Sequence, residues 1–186
     1  IGLRADGTAV AWGDNSFGQC DVPANEIFVQ VAAGITHSIG LRADGTAVAW
    51  GSNVDGESDI PDGETFVQVA AGGGTGGRHS IGLRVDGTAV AWGNNSSGQC
   101  DVPAGETFVQ IAANYKRSVG LRVDGTAIGW GLNSVGQSDM PAGETFLRVI
   151  AGTYHNIGLI LDTDNDGISN GVDNCPAGDD TVDSDD

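Results

Sequence analysis

Basic residues are scarce in this chain. Lysine and arginine number 8 against 25 aspartates and glutamates, a net charge of −17. A surface so acidic repels phosphates, so no nucleic-acid partner is expected. No apolar run approaches the roughly 18 residues that a membrane-spanning helix needs, so no membrane span is expected. Helical apolar spacing is also missing from every window of useful length, which leaves an all-β chain. Aromatics make up only 6% of residues while glycine accounts for 31 of 186. A single large core is therefore not expected.

What is present is a repeat. Residues 39–51, IGLRADGTAVAWG, are identical to residues 1–13, and they return with small changes from Ile81 and Val119. A fifth copy begins as IGLI at Ile157 and breaks off. The leading glycines Gly2, Gly40, Gly82, Gly120 and Gly158 are 38, 42, 38 and 38 residues apart, a period typical of repeat architectures. The units are 1–38, 39–80, 81–118 and 119–156, with a partial one at 157–160. The chain opens in mid-unit, so it is expected to be a piece of a longer protein; no export leader is seen, and such a piece could not show one.

Within each unit an Asp-Gly pair (Asp6-Gly7, Asp44-Gly45, Asp86-Gly87, Asp124-Gly125) separates two short apolar runs, a hairpin signal in which both residues are expected to take positive φ. Another strand signal precedes each hairpin, as FVQVAA from Phe28 and Phe66. The polar loops between carry Pro23, Pro61, Pro103 and Pro141, none inside a strand. Three short strands cannot bury a core alone, so neighbouring units must stack. All four tryptophans, Trp12, Trp50, Trp92 and Trp130, share one repeat position, which suits packing between units rather than a ligand platform.

The runs VAAGITHSIGL from Val31 and WGDNSFGQ from Trp12 resemble the repeats of the regulator of chromosome condensation family, as do VIAGTYHNIGL from Val149 and WGNNSSGQ from Trp92. The resemblance covers residues 1–160 and is similar to the family's compact bacterial form. It implies a β-propeller, usually seven-bladed, with the chain ends meeting in one shared blade. Two departures stand out. The third corner carries Asn114 and Arg117 where the others have glycine and histidine, and four complete units are too few to close such a ring.

The corners between the first strand and the hairpin vary while the scaffold does not. Variable loops on a rigid frame are where recognition tends to lie. If the corners share one face, they present Arg78, Tyr115, Lys116, Arg117 and Tyr154 to a protein or other macromolecular partner. Gly72, Gly74 and Gly77 fit G-x-G-x-x-G, but a strand follows instead of the required helix, so no dinucleotide site is expected. His37, His79 and His155 occupy one repeat position, one per unit, and are expected to satisfy backbone groups rather than bind zinc. Cys20 and Cys100 sit in non-adjacent units and are not expected to pair. The recurring aspartates are turn residues, and no nucleophile–base pair is visible. An enzyme is therefore not expected. A structural spacer of a surface protein, or less favourably part of a secreted hydrolase, is the alternative to a binding scaffold.

Residues 161–186 differ in kind. Nine aspartates and no lysine or arginine follow from Asp162. In DTDNDGISNGVD, oxygens at positions 1, 3, 5, 9 and 12 come from Asp162, Asp164, Asp166, Asn170 and Asp173, with the Ile168 carbonyl at position 7 and Gly167 at position 6. This is Ca2+-loop spacing: alternate side chains of a tight loop converge, and a hard cation offsets their mutual repulsion. The run DTDNDGISNGVDNCP resembles the thrombospondin type 3 repeat, which implies Ca2+ ligation by these residues and a disulfide from Cys175 to a following repeat. A calcium connector with such a cysteine points to a secreted or cell-surface, bacterial protein, with Kd on the order of 10⁻⁴–10⁻³ M for the ion.

Overall fold

A computed structural model describes residues 1–74 and 76–160; the expected calcium loop lies outside the described residues. Those residues are all-β, and none forms a helix long and apolar enough to cross a membrane. Three sheets have three strands each in antiparallel order: β3 (Gln30–Ala33), β4 (His37–Leu41) and β5 (Ala47–Gly51); β6 (Gln68–Gly72), β7 (His79–Leu83) and β8 (Ala89–Gly93); β9 (Gln110–Asn114), β10 (Arg117–Leu121) and β11 (Ala127–Gly131). Two-stranded sheets flank them: β1 (Gly2–Leu3) with β2 (Ala9–Val10), and β12 (Arg148–Ala151) with β13 (Asn156–Leu159). Each full sheet takes its first strand from one sequence unit and its hairpin from the next. The sheets are not closed into a barrel; β3, β6, β9 and β12 pack side by side in an open array.

The hairpins form where Asp-Gly predicts them, but with a different division of labour. Gly45 alone takes positive φ, 86°. Asp44 instead accepts hydrogen bonds from the Thr46 amide (2.9 Å) and hydroxyl (2.7 Å), an Asx-type brace repeated at Asp6, Asp86 and Asp124. Arg42 forks onto Glu26 at 2.7 Å, as Arg84 does onto Glu64 and Arg122 onto Glu106. Their shared bidentate geometry fixes the entry to each sheet.

Burial follows from stacking. Every residue of β4, β7 and β10 is buried, because a neighbouring sheet covers each face. Ile39, Ile81 and Val119 are wholly inaccessible. Trp50, Trp92 and Trp130 stack on Phe28, Phe66 and Phe108 with centroids 5.7–5.8 Å apart and interplanar angles near 20°. Their indole N–H groups donate to the carbonyls of Gln19, Glu57 and Gln99. Trp50, Trp92 and Trp130 pack between units, as their shared position implied; Trp12, at the same position, is 70% exposed.

A second device joins the sheets. The Gln30 side-chain amide donates to the Val69 carbonyl (2.9 Å) and accepts from the Val69 amide (3.0 Å). Gln68 does the same to Ile111, and Gln110 to Val149. Each glutamine thus stands in for a peptide group and satisfies both backbone groups of the next inner strand. Arg148 holds this position in β12, and a guanidinium can donate but not accept. The clamp therefore has no equivalent there.

Candidate recognition site

The corners are held from beneath by a histidine relay. His37 Nε2 lies 3.0 Å from Ser80 Oγ, and that hydroxyl donates to the Glu57 carbonyl at 2.8 Å. His79 meets Ser118 at 3.0 Å, whose hydroxyl donates to the Gln99 carbonyl. The Ser80 proton is committed to a carbonyl, so His37 Nε2 is the donor there; His79 also brings its Nδ1 within 3.2 Å of the Gly77 carbonyl, and its neutral ring has one proton for the two contacts. Both rings are buried, and burial pulls their pKa down to about 4. His37 and His79 are structural residues, though their Nε2 atoms meet serine hydroxyls rather than the expected backbone groups, and His155, at the same repeat position, is exposed. Among the described residues no group of three or more His, Cys, Asp or Glu is placed to hold a metal. Burial, with Asp101 adding to it, pushes the Cys100 thiol up to about 11, far from a reactive thiolate.

The histidines predict a pH dependence with a definite sign. Their folded pKa of about 4 lies below the ordinary 6.5, so the unfolded chain binds protons that the folded chain does not. Stability is therefore full above about 6.5 and falls as pH drops toward about 4, by at most about 1.4 kcal/mol per pH unit per histidine. The hairpin carboxylates and Glu26, Glu64 and Glu106, held low by their hydrogen bonds, act in a lower range, beneath their ordinary 3.8 and 4.5. Urea melts at about pH 7 and about pH 5 should show the loss, and His37→Gln should remove part of that slope.

Above the relay the corners meet. The described residues of the enlarged corner, 73–74 and 76–78, lie between its neighbours, and their glycines allow the close approach. A Cβ on Gly73 would come within 2.8 Å of the Ile35 amide, one on Gly74 would overlap the Tyr115 ring, and one on Gly77 would overlap Lys116. Tyr115 and Tyr154 tilt against each other with centroids 6.0 Å apart. The Lys116 ammonium sits 5.9 Å from the Tyr115 ring centroid. Tyr115 itself has φ 48°, one of two non-glycine residues at positive φ among those described. Ile35 and Tyr154 are about 60% exposed. The corners of four units thus form one continuous surface from Ile35 to Tyr154.

Arg78 is partly committed: its Nε donates to Thr36 Oγ1 (2.9 Å), its Nη1 pairs with Asp55 (3.3 Å), and it lies over Phe17. Arg117, expected on this face, is not there. It is 1% exposed, and its guanidinium donates to the carbonyls of Gln137, Gly152 and His155. The reason is steric. Where histidine occupies this position, its ring lies against the corner glycine, so that a Cβ on Gly34 or Gly72 would strike it. Asn114 has that Cβ, so the third corner carries a residue whose side chain runs elsewhere. Asn114 then donates to the Ala151 carbonyl at 3.0 Å.

Sequence reading missed Glu57. Gln19, Gln99 and Gln137 occupy its position elsewhere, and each accepts an amide hydrogen bond from two residues before it. Glu57 does so too, from Asp55, yet it is wholly buried and its Oε1 has no hydrogen-bond partner among the described residues; the nearest cation is Arg78, 4.0 Å away. The Gln-to-Glu exchange, with Asp55 and Arg78 arriving in the same unit, was the available signal.

A family model described as Regulator of chromosome condensation (RCC1) repeat matches residues 28–57, 66–99 and 108–137, 94 of the 186 residues. No curated protein matches the chain. Among solved structures, the ectodomain of the receptor kinase CR4 from Physcomitrella patens is 28% identical with a TM-score of 0.62, over 73% of this chain and 36% of that one. The CRINKLY WD40 ectodomain of the receptor kinase ACR4 from Arabidopsis thaliana is 24% identical with a TM-score of 0.62, over 72% of this chain and 47% of that one. Yeast RCC1 (Prp20), solved bound to Kap60, is 21% identical with a TM-score of 0.58, over 73% and 42%. The chain thus spans a third to a half of the length of these structures.

Proposed function

Because the chain belongs to the regulator of chromosome condensation repeat family, we propose that it is a non-catalytic scaffold that binds a protein through its corner loops. The observation that carries this reading is the continuous corner surface, on which exposed apolar and aromatic side chains stand over a relay that fixes the backbone beneath them. Tyr115, Tyr154 and Lys116 are its centre, with Ile35 and the partly committed Arg78 at one side. Tyrosines of limited rotamer freedom suit interface anchors. Yeast RCC1, solved with Kap60 bound, supports a protein as the class of partner. The two receptor-kinase ectodomains support an exported location, in keeping with the calcium-loop spacing of Asp162, Asp164, Asp166, Ile168, Asn170 and Asp173. Those residues bind Ca2+ in this proposal, and calorimetric heat that vanishes in Asp166→Ala is its signature; an unchanged heat would reject it.

The corner reading is tested with the Tyr115→Ala/Tyr154→Ala variant. Capture of partners by the immobilised chain should fall tenfold or more, corresponding to about 1.4 kcal/mol or more, with the melting temperature unaltered.

A further inference from the structure

The corner face is electrically divided. Over units 1 and 2 it carries three carboxylates against one guanidinium. Asp14 lines a cleft with Gly34 and Ile35, while Asp55 and the buried Glu57 flank Arg78 at 3.3 and 4.0 Å. Over units 3 and 4 the balance is reversed. Lys116, the one lysine of the chain, stands beside the Tyr115 ring, and the next residue, Arg117, is buried where units 1 and 2 have His37 and His79. Among the described residues neither Lys116 nor Arg117 is paired with a carboxylate.

The surroundings of Lys116 leave its charge unopposed. Its stem crosses Gly77, where a Cβ would overlap it, and its ammonium lies near Gly76. The Gly76 carbonyl accepts from Ser96 Oγ (3.3 Å), and the Lys116 carbonyl accepts from the Leu132 amide (2.9 Å). The two loops so placed, 94–98 and 132–136, read NNSSG and LNSVG and hold no acid, whereas 14–18 and 52–56 hold Asp14 and Asp55. The first acids to follow, Asp101 and Asp139, accept from the Asn95 and Asn133 side-chain amides at 2.6 and 2.7 Å. Arg117 meets carbonyl groups alone, those of Gln137, Gly152 and His155. A buried guanidinium offset by dipoles alone projects its field to the surface nearby. Arg4 and Arg148, the other bases without a carboxylate partner among the described residues, lie at the hairpin ends of their sheets, away from the corners.

We propose that the half of the face over units 3 and 4 receives an acidic segment of the partner protein, with carboxylates against Lys116 and apolar side chains against the Tyr115–Tyr154 pair. The inference rests on the corner reading above and adds the partner's chemistry to it. An ammonium and two phenol O–H groups are donors that suit carboxylates. A small free anion needs several donors converging on one point; one ammonium beside two tilted rings instead fits a chain in which carboxylates and apolar groups alternate. The net charge of −17 opposes such a partner at long range, so the preference is local, within a screening length of about 8–10 Å. The negative half over units 1 and 2 sets the orientation, because the same segment laid there would meet Asp14 and Asp55.

Selection from a display library of random peptides on the immobilised full chain tests this, with a chelator present so that Ca2+ cannot bridge acidic peptides to the aspartates from Asp162 on. The enriched peptides should combine Asp or Glu with apolar residues, the reverse of what the net charge of the chain favours. Lys116→Glu should weaken their binding about tenfold or more at an unaltered melting temperature. Enrichment of basic or uncharged peptides would overturn the proposal, and their loss in Tyr115→Ala/Tyr154→Ala would show that the corner face stands without it. Acidic peptides that bind Lys116→Glu as tightly as wild type would overturn it too; if they also bind the double tyrosine variant unchanged, the corner reading falls with it. Enrichment of no peptide would mean that the face is closed to acidic segments, by the chain's own aspartates or otherwise, and would equally overturn it.

Discussion

Replacing Trp92 with alanine is expected to lower the free energy of unfolding by about 3–5 kcal/mol, whereas the same change at Trp12 should alter it by less than about 0.5. The two residues share a repeat position and nearly identical flanking sequence. They differ in surroundings. Trp92 stacks on Phe66 at 5.8 Å, contacts the cluster of Ile39, Leu41 and Val69, and donates to the Glu57 carbonyl at 3.0 Å. Its removal would leave a cavity between two units and take one of the two hydrogen bonds from the Glu57 carbonyl, which Ser80 would still hold. Domains of this size are typically stable by only about 5–15 kcal/mol, so the loss would be a large share of the total. Denaturant melts of the two variants check the contrast; a similar cost at both positions would mean that stacking between units is not what holds the array.

Gly82→Ala should be nearly as damaging, although it adds a single methyl group. Gly82 is the fourth of five residues in the middle strand of the central full sheet, and its Cα faces the Phe66 ring so closely that a Cβ would overlap three ring carbons. The ring cannot retreat, because Trp92 is stacked on it. Overpacking of this kind costs about 1–3 kcal/mol and occasionally more. The neighbouring Ile81→Val, which removes one methylene at a wholly buried position, should cost about 0.5–1.5 kcal/mol by comparison. If alanine at 82 were as mild as valine at 81, the glycine would not be there to admit the phenylalanine. Gly2, Gly40, Gly120 and Gly158 hold the same repeat position, and the last three lie under Phe28, Phe108 and Phe146.

The repeat made the strands, the hairpins and the packing role of the tryptophans readable, because each rests on a local signal that recurs. Devices that couple distant units were harder to see. Gln30, Gln68 and Gln110 look like ordinary polar alternation in a strand; their double hydrogen bonds reach residues about 40 positions away. Arg117 was misplaced for a related reason. A basic residue beside a tyrosine and a lysine suggests an exposed corner, but its position in the repeat is the buried one that His37 and His79 occupy. Asn114 and Arg117 are best understood as one paired change, since the first residue is compatible only with the absence of a ring at the second. Glu57 was overlooked because a Gln-to-Glu exchange is common on surfaces, and only the packing of the loop shows that its carboxylate is enclosed.

The account separates a scaffold, built from stacked rings, glutamine clamps and buried histidines, from a corner face that the scaffold holds in place. The most direct measurement is partner capture and melting temperature taken together for the Tyr115→Ala/Tyr154→Ala variant, with Trp92→Ala as the scaffold control. The corner variant is predicted to lose capture and keep its melting temperature, while the control loses melting temperature. Capture that survives in a corner variant with unaltered melting temperature would contradict the assignment of recognition to this face.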